Sequence, residues 1–420
     1  MTENKIPLLS PEWIDHRAFR IVEALQKKGF KTYLVGGCVR DLLLGIEPKD
    51  FDIATDAHPS DVKRIIPQSY IIGKRFRLVL VKRQEQQFEV ATFRRDIREE
   101  EKLDEEVPIG DNFWGSPEQD ALRRDFTINA LFYDPIKNEV IDYANGRQDL
   151  KKGCIRIIGN PTERLIEDPI RILRAIRLAH KIRFSIESDL RQAIATTAES
   201  LSLSALPRRR EEFLKFLRLK EPLLPFLDCH DLGVLKYISP TLDKVILETE
   251  SRKIFVRYMQ NYHDYPLNKE QPVELFAMFV LAVLRSSFFK DHDVPIKAKD
   301  ILENEQIKVF MKDELGMFNY EQNALAKSLQ MQSVLQKTDS FDKKGVRRRL
   351  AVLKNEAFQL ALAIAERDHS LSCEQSLYWK QQYKTFMPQI FEEQGFKNKK
   401  RRKKTRFKKR QTNNLAKTKA

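Results

Sequence analysis

Apolar and polar positions follow one rhythm before Pro161 and another after it. In the first stretch, short runs alternate with turns. Ser10-Pro11-Glu12 offers an N-cap, a proline at the first helical position and an early acid, predicting a helix that runs to about Gly29. Tyr33-Leu34-Val35 reads as a short apolar strand, Gly36-Gly37 as a turn, and Val39 to Leu44 as a helix that Gly45 ends in a left-handed cap. A second strand carries Asp50-Phe51-Asp52-Ile53-Ala54. Asp61 to Ile66 is expected as a short helix, Arg77 to Lys82 and Phe88 to Arg94 as paired strands, and Glu139 to Tyr143 as another strand. These elements predict a small mixed α/β domain. Arg95 to Pro117 is rich in charge and turn residues without a period, and is expected to be a mobile loop able to close over a substrate.

From Pro161 onward the apolar residues recur at three and four, as in Leu206 to Leu219 and Phe276 to Leu284, so the remainder is expected to be helical. Pro207 ahead of Arg208-Arg209-Arg210-Glu211-Glu212-Phe213 suits a helix that begins with a basic face. The longest apolar run, Leu275 to Leu284, is about half of a bilayer span, and the N-terminus lacks a signal-peptide pattern. A buried helix, and a chain with no membrane partner, are the expectations.

Length changes the picture from one core to several: 420 residues make roughly two to four packed units. An apolar fraction of 42% with 26 Phe supplies real cores. The net charge of +15 is concentrated, because residues 397–419 hold thirteen Lys and Arg and no acid, which leaves +2 for all that precedes them. Such a density forbids a packed core, so residues 396–420 are expected to be a disordered basic tail suited to binding phosphate. Cys38, Cys154, Cys229 and Cys373 are scattered, which predicts reduced thiols, a cytoplasmic setting and no zinc site. His230-Asp231, His263-Asp264 and His292-Asp293 resemble phosphohydrolase pairs but lack a convincing set of further ligands.

Chemistry gathers in Tyr33 to Gly45 and in Pro48-Lys49-Asp50-Phe51-Asp52. Strand residues two apart share a face, so Asp50 and Asp52 project together while Phe51 turns inward. Two such carboxylates suit a pair of Mg²⁺ ions, whose task in an in-line displacement is to activate a hydroxyl and stabilise leaving pyrophosphate. Gly36-Gly37 lets backbone N–H groups approach a triphosphate at a helix start, and Arg40 follows one turn later.

That combination resembles the nucleotidyltransferase superfamily, in the class that groups bacterial poly(A) polymerases with CCA-adding enzymes. Phe88-Glu89-Val90-Ala91-Thr92-Phe93-Arg94 is similar to the family's third strand, and Arg123-Arg124-Asp125-Phe126-Thr127-Ile128-Asn129-Ala130-Leu131 to its next signature. Glu167-Asp168-Pro169-Ile170-Arg171, with Arg174 and Arg177, resembles the segment that reads the incoming base. The helix beginning at Asp168 has Ile172, Leu173, Ile176 and Ala179 on its packed side. The resemblance implies an α+β fold: an N-terminal helix (1–30), a mixed-sheet catalytic head (31–150), a helical neck (151–220), a helical body that guides RNA (221–395), and the tail. It implies that Asp50 and Asp52 hold two Mg²⁺ ions, and that Asp125 completes the acidic centre, with Glu89 competing for that place. Gly36, Gly37, Arg40 and Arg124 would hold the triphosphate of ATP; Asp168, Arg171, Arg174 and Arg177 would contact the nucleotide. Ile71-Ile72-Gly73-Lys74-Arg75-Phe76-Arg77-Leu78-Val79 is similar to the signature of the poly(A) members, although Leu80 replaces a histidine expected there. AMP addition to single-stranded RNA 3′ ends is therefore the expected reaction, with CCA addition and non-catalytic RNA binding as alternatives.

Overall fold

The computed structural model describes residues 11–388, apart from 74–76, 96–112, 261, 265–267 and 291–295. The basic tail, most of the expected mobile loop and the His292-Asp293 pair lie outside the described residues. The chain divides into two units, one built from residues up to Ser204 with Asp231–Tyr237, the other from Ala205–His230 and from Ile238 onward.

The first unit is organised by one mixed sheet. Its strands are β1 (Thr32–Val35), β2 (Asp52–Thr55), β3 (Ser69–Ile72), β4 (Leu78–Arg83), β5 (Gln86–Thr92), β6 (Leu131–Asp134) and β7 (Glu139–Asp142). They lie in the order β3-β4-β5-β2-β1-β6-β7. All pairings are antiparallel except β2 with β5, where Asp52 faces Glu89 and Ile53 faces Val90. The helices around this sheet are α1 (His16–Gln26), α2 (Gly37–Leu43), α3 (Pro59–Ile65), α4 (Pro117–Leu122) and α5 (Gly146–Lys152), followed by α6 (Pro161–Glu167) and α7 (Ile170–Ile182).

The central strands are short and deeply buried, which is how Leu34, Val35, Ile53, Val90 and Phe132 become core. Each such side chain contributes about 1.5–3 kcal/mol by leaving water. Phe93, Phe132 and Tyr33 pack their rings together, with centroids 6.1–6.2 Å apart.

Local expectations are corrected in four places. The first α-helix begins at His16, not near Ser10; Asp15 caps it by accepting from the Arg17 N–H at 2.8 Å, and Pro11–Trp13 forms only a single tight turn. β2 begins at Asp52, so Asp50 sits in the approach to the strand. β3 is a strand that the apolar pattern had not marked, and the buried run after Asp125, equally readable as strand or helix, forms strand β6. The expected loop ends as helix, because Ser116 and Gln119 form a reciprocal capping box ahead of α4.

The second unit is helical throughout its described residues. Phe213, Phe216, Phe226 and Phe279 stack at its core with centroids 4.9–6.3 Å apart. The helix Leu206–Leu217 starts at Pro207 as expected, but its basic face is incomplete: Arg210 turns inward and pairs with buried Glu321 at 2.9 Å. A second buried pair, Arg285 with Asp368, closes at 2.9 Å.

Candidate active site

The turn between β1 and α2 sets the geometry. Gly36 has φ +76° and ψ −128°, a conformation that a Cβ disfavours, and its N–H donates to Leu131 O at 2.9 Å. A Cβ at Gly36 would lie 3.2 Å from Arg124 Nη1, so the guanidinium rests directly on the turn. Arg124 is aimed there by two bonds to buried Asp120, at 2.8 and 3.3 Å, and by the ring of Phe132 at 5.4 Å. No side chain caps the N-terminus of α2, so its first N–H groups remain available to an anion.

Beside this turn stands an acidic group. Phe51 and Ile53 are buried, while Asp50 and Asp52 are open to solvent. The parallel register sets Glu89 against Asp52 on the neighbouring strand. Although Asp52 still reaches solvent, partial desolvation by the protein around it pushes its carboxyl upward, Glu89 and Asp50 push it further, and Arg124 opposes them. The excess of negative charge is uncompensated by any ion pair to Asp50, Asp52 or Glu89 among the described residues. Such a group favours a hard cation. Among the described residues no set of three His, Cys, Asp or Glu side chains already converges as a metal cage. Mg²⁺ fits that arrangement, since it usually takes one or two carboxylates and completes its shell with water and substrate phosphate.

Asp125, expected in the acidic centre, is paired with an arginine of α7. It accepts from Phe126 N at 2.8 Å, Asn129 Nδ2 at 3.1 Å and Arg174 Nε at 2.8 Å. Burial alone would raise its pKa, but the Arg174 guanidinium and these hydrogen bonds hold it below the ordinary carboxylate value. Arg40 is likewise committed: Nη1 donates to Asn129 Oδ1 at 2.6 Å, and Nε to Asp41 Oδ1 at 2.8 Å. Asp41 in turn accepts from Lys181 at 3.1 Å. The result is a continuous chain, Arg174–Asp125–Asn129–Arg40–Asp41–Lys181, that begins and ends on α7.

The remaining expected residues line the same helix. Asp168 caps α6, and Arg171 donates to Arg164 O at 2.7 Å and to Glu167 at 2.8 Å. Arg171, Arg174 and Arg177 form a half-buried stripe, while Ile172, Leu173, Ile176 and Ala179 are buried as expected. Of the other weighed residues, His230 bonds Asp243 at 2.7 Å and His263 bonds Leu219 O at 2.6 Å. All four cysteines are free thiols.

Residues 32–156 match the family model described as the poly A polymerase head domain, and 183–246 match the probable RNA and SrmB- binding site of polymerase A. Poly(A) polymerase I of Haemophilus influenzae is 35% identical over 330 residues, 76% of this chain and 69% of that protein. The chain belongs to the nucleotidyltransferase family of bacterial poly(A) polymerases and CCA-adding enzymes. It is a nucleotidyltransferase. Coverage of other family members is smaller: the chain spans 60% of poly(A) polymerase I from Salmonella typhi, at 36% identity over 64% of this chain. The CCA-adding enzyme of Ligilactobacillus salivarius is 35% identical over 61% of this chain and 60% of its own length. In fold, the chain resembles the Bacillus stearothermophilus CCA-adding enzyme solved with CTP, with a TM-score of 0.62 at 23% identity, covering 88% of this chain and 82% of that one. The α+β architecture expected of the family, a mixed-sheet head followed by helices, is thus observed. No helix among the described residues is long and apolar enough to cross a membrane.

Within this family frame, sequence reasoning missed Asn129, Asp41 and Lys181. Asn129 stood inside a quoted motif, and Lys181 lies seven residues beyond Arg174 on the same helix, but their partnership depends on contacts across 89 and 140 residues of chain.

Proposed function

We propose that the protein is a polynucleotide adenylyltransferase that transfers AMP from ATP to RNA 3′ ends, in 3′-end polyadenylation and turnover. The observation that carries this reading is the uncompensated acidic group of Asp50, Asp52 and Glu89, set beside the Gly36 turn and Arg124. In this reading Asp50 and Asp52 hold Mg²⁺, and Glu89, rather than Asp125, supplies the third negative charge. Bound there, two Mg²⁺ ions would lower the pKa of the RNA 3′-hydroxyl and stabilise the departing charge.

The chain's own groups do the positioning. Gly36, Gly37 and Arg124 orient the triphosphate so that the 3′-oxygen attacks the α-phosphorus in line. The new bond is the 3′-phosphodiester, the α–β anhydride breaks, pyrophosphate leaves and the hydroxyl proton passes to water. Arg40 and Asp125 act as positioning residues through Asn129, keeping the head registered with α7. Asp168, Arg171 and Arg177 present hydrogen-bonding groups to the base, with Arg174 held in place by Asp125.

Poly(A) addition is supported over CCA addition by the greater length of the match to poly(A) polymerase I and by Ile71-Ile72-Gly73 and Arg77-Leu78-Val79. Lys74-Arg75-Phe76 of that signature lie outside the described residues. The basic 397–419 segment supports a sequence-blind hold on single-stranded RNA. CCA addition is the second reading, favoured by the likeness to the solved CCA-adding enzyme.

One incorporation experiment separates them. Purified protein is given single-stranded RNA or a tRNA lacking its terminal residues, with each nucleoside triphosphate alone. ATP-dependent extension of RNA by a growing tract is expected. Incorporation that requires CTP and stops after a fixed number of residues would establish CCA addition instead. Failure of any nucleotide to be incorporated, with RNA still bound, would leave only the binding-protein reading.

A further inference from the structure

The helical unit contains a basic surface on which four cations have no acidic partner among the described residues. The helix Val346–Leu353 begins after Gly345, which supplies no side-chain cap, and its first turn contains no acid. Lys343, Arg347 and Arg348 are exposed and Lys344 half-exposed around that terminus. None of the four takes part in an ion pair among the described residues. Cations are disfavoured at a helix N-terminus, where the backbone dipole already places positive charge. An arrangement that breaks a local rule without compensation points to a ligand that supplies the missing charge.

The platform is built, not loose. Arg349 bonds Lys344 O at 2.8 Å, also reaches Asp342 O, and lies 5.5 Å from the Phe341 ring. The nearby acid Asp342 is occupied by Tyr378 Oη at 2.6 Å. Arg349 thus fixes the turn that presents the other four cations.

A second observation adjoins the first. A cavity of about 380 Å³ opens between this helix and the helix Asn319–Leu335. Met331, Val334 and Val352 form its apolar floor, and Lys327, Gln330 and Asn355 bring polar groups to it. Met331 and Val352 belong to the surface of the Trp379 core, so the floor is firm. Arg347 and Arg348 stand one helical turn, about 6 Å, from the cavity residues Ala351 and Val352. Exposed cations one turn from an apolar slot edged by amide donors and acceptors match a nucleotide: charge for its phosphate, an apolar surface and amides for its base.

We infer that this face is a single-stranded RNA subsite, in which Lys343, Lys344, Arg347 and Arg348 contact phosphates and the cavity takes an unstacked base. The inference rests on the reading that the chain works on RNA, and it places an RNA contact outside residues 183–246. An acidic protein segment is the competing occupant. The exposed amides and the slot beside the cations favour RNA.

The test is fluorescence anisotropy of the full chain with a labelled oligoadenylate, across a salt series and without ATP. The double variant R347A/R348A is expected to lose two phosphate contacts, lowering the slope of log affinity against log salt by about 1.4, at roughly 0.7 per contact. Ala351→Leu, which fills the cavity mouth without altering charge, is expected to weaken single-stranded binding by roughly tenfold, the scale of one base contact, with the slope unchanged. The same variant should bind duplex RNA as the parent does, because a paired base is not free to enter. An unchanged slope in R347A/R348A overturns the phosphate contacts, and unchanged affinity in Ala351→Leu overturns the base pocket. Unchanged RNA binding together with loss of a defined protein partner would assign the face to protein and overturn the inference. Loss of incorporation with these binding effects intact would instead fault the catalytic reading alone.

Discussion

Two sets of carboxylates in the first unit sit on opposite sides of one electrostatic divide. Asp120 is buried and Asp125 nearly so, yet each is paired with arginine and held below the ordinary value: Asp120 by Arg124 and Arg123, Asp125 by Arg174. Asp52 is pushed the other way, by partial desolvation and by Glu89 and Asp50. The first set is internally neutralised and, on the proposed reading, acts as scaffold. The second carries charge that the protein leaves for something else to neutralise. On that reading, equal residue types divide into framework and function according to where the arginines are.

The largest test of that division is Asp52→Asn. Incorporation should fall by about 10³-fold or more, corresponding to several kcal/mol of lost transition-state stabilisation. The metal-free protein should be no less stable than the parent, because a repulsion has been removed. An active variant, or one that unfolds, would break the comparison.

Next in size is Arg174→Ala. It leaves Asp125 buried without its cation, and chemical denaturation should report a loss of about 2 kcal/mol, reduced from the full cost of a buried pair because Arg174 is partly exposed. If stability were unchanged, Asp125 would not depend on Arg174 for its neutralisation and would leave the first set.

Gly36→Ala should cost about 1–2 kcal/mol in backbone strain and displace Arg124 by its Cβ contact at 3.2 Å, raising KM for the triphosphate. An unchanged KM would separate Arg124 from phosphate binding.

The smallest effect lies in pH, and here the two sets differ in sign. Asp52 has a folded-state pKa above its ordinary 3.8, so the folded state binds more protons and stability declines as pH rises through the interval above that value. Asp125 has a depressed pKa, so its contribution is present above 3.8 and lost as pH falls below it. Thermal unfolding against pH should lose the first slope in Asp52→Asn and the second in Arg174→Ala. If Mg²⁺ also abolished the first slope in the parent protein, the cation site would be tied to Asp52 by a readout independent of activity.

How much of this was legible in the sequence depends on the range of the interaction. The β1–turn–α2 segment was readable because Tyr33-Leu34-Val35, Gly36-Gly37 and Gly45 each specify local backbone behaviour. The start of α1 was misplaced because Asp15, which bonds both the Arg17 N–H and its guanidinium, outcompetes the Ser10-Pro11 signal. β3 escaped notice because Tyr70, Ile71 and Ile72 are all exposed on an edge strand, so no alternation marks it. The engagement of Asp125 was not readable at all, since its partner lies 49 residues away. The pairing of Glu89 with Asp52 likewise needed the parallel register.

The anchoring of α7 at both Arg174 and Lys181 has a consequence for how such enzymes diversify. Two fastenings about 10 Å apart on one rod prevent it from swivelling. On the proposed reading, edits to the side chains along that rod would alter which letter is accepted while leaving the phosphate chemistry undisturbed. A single engine with an exchangeable alphabet is the design this implies.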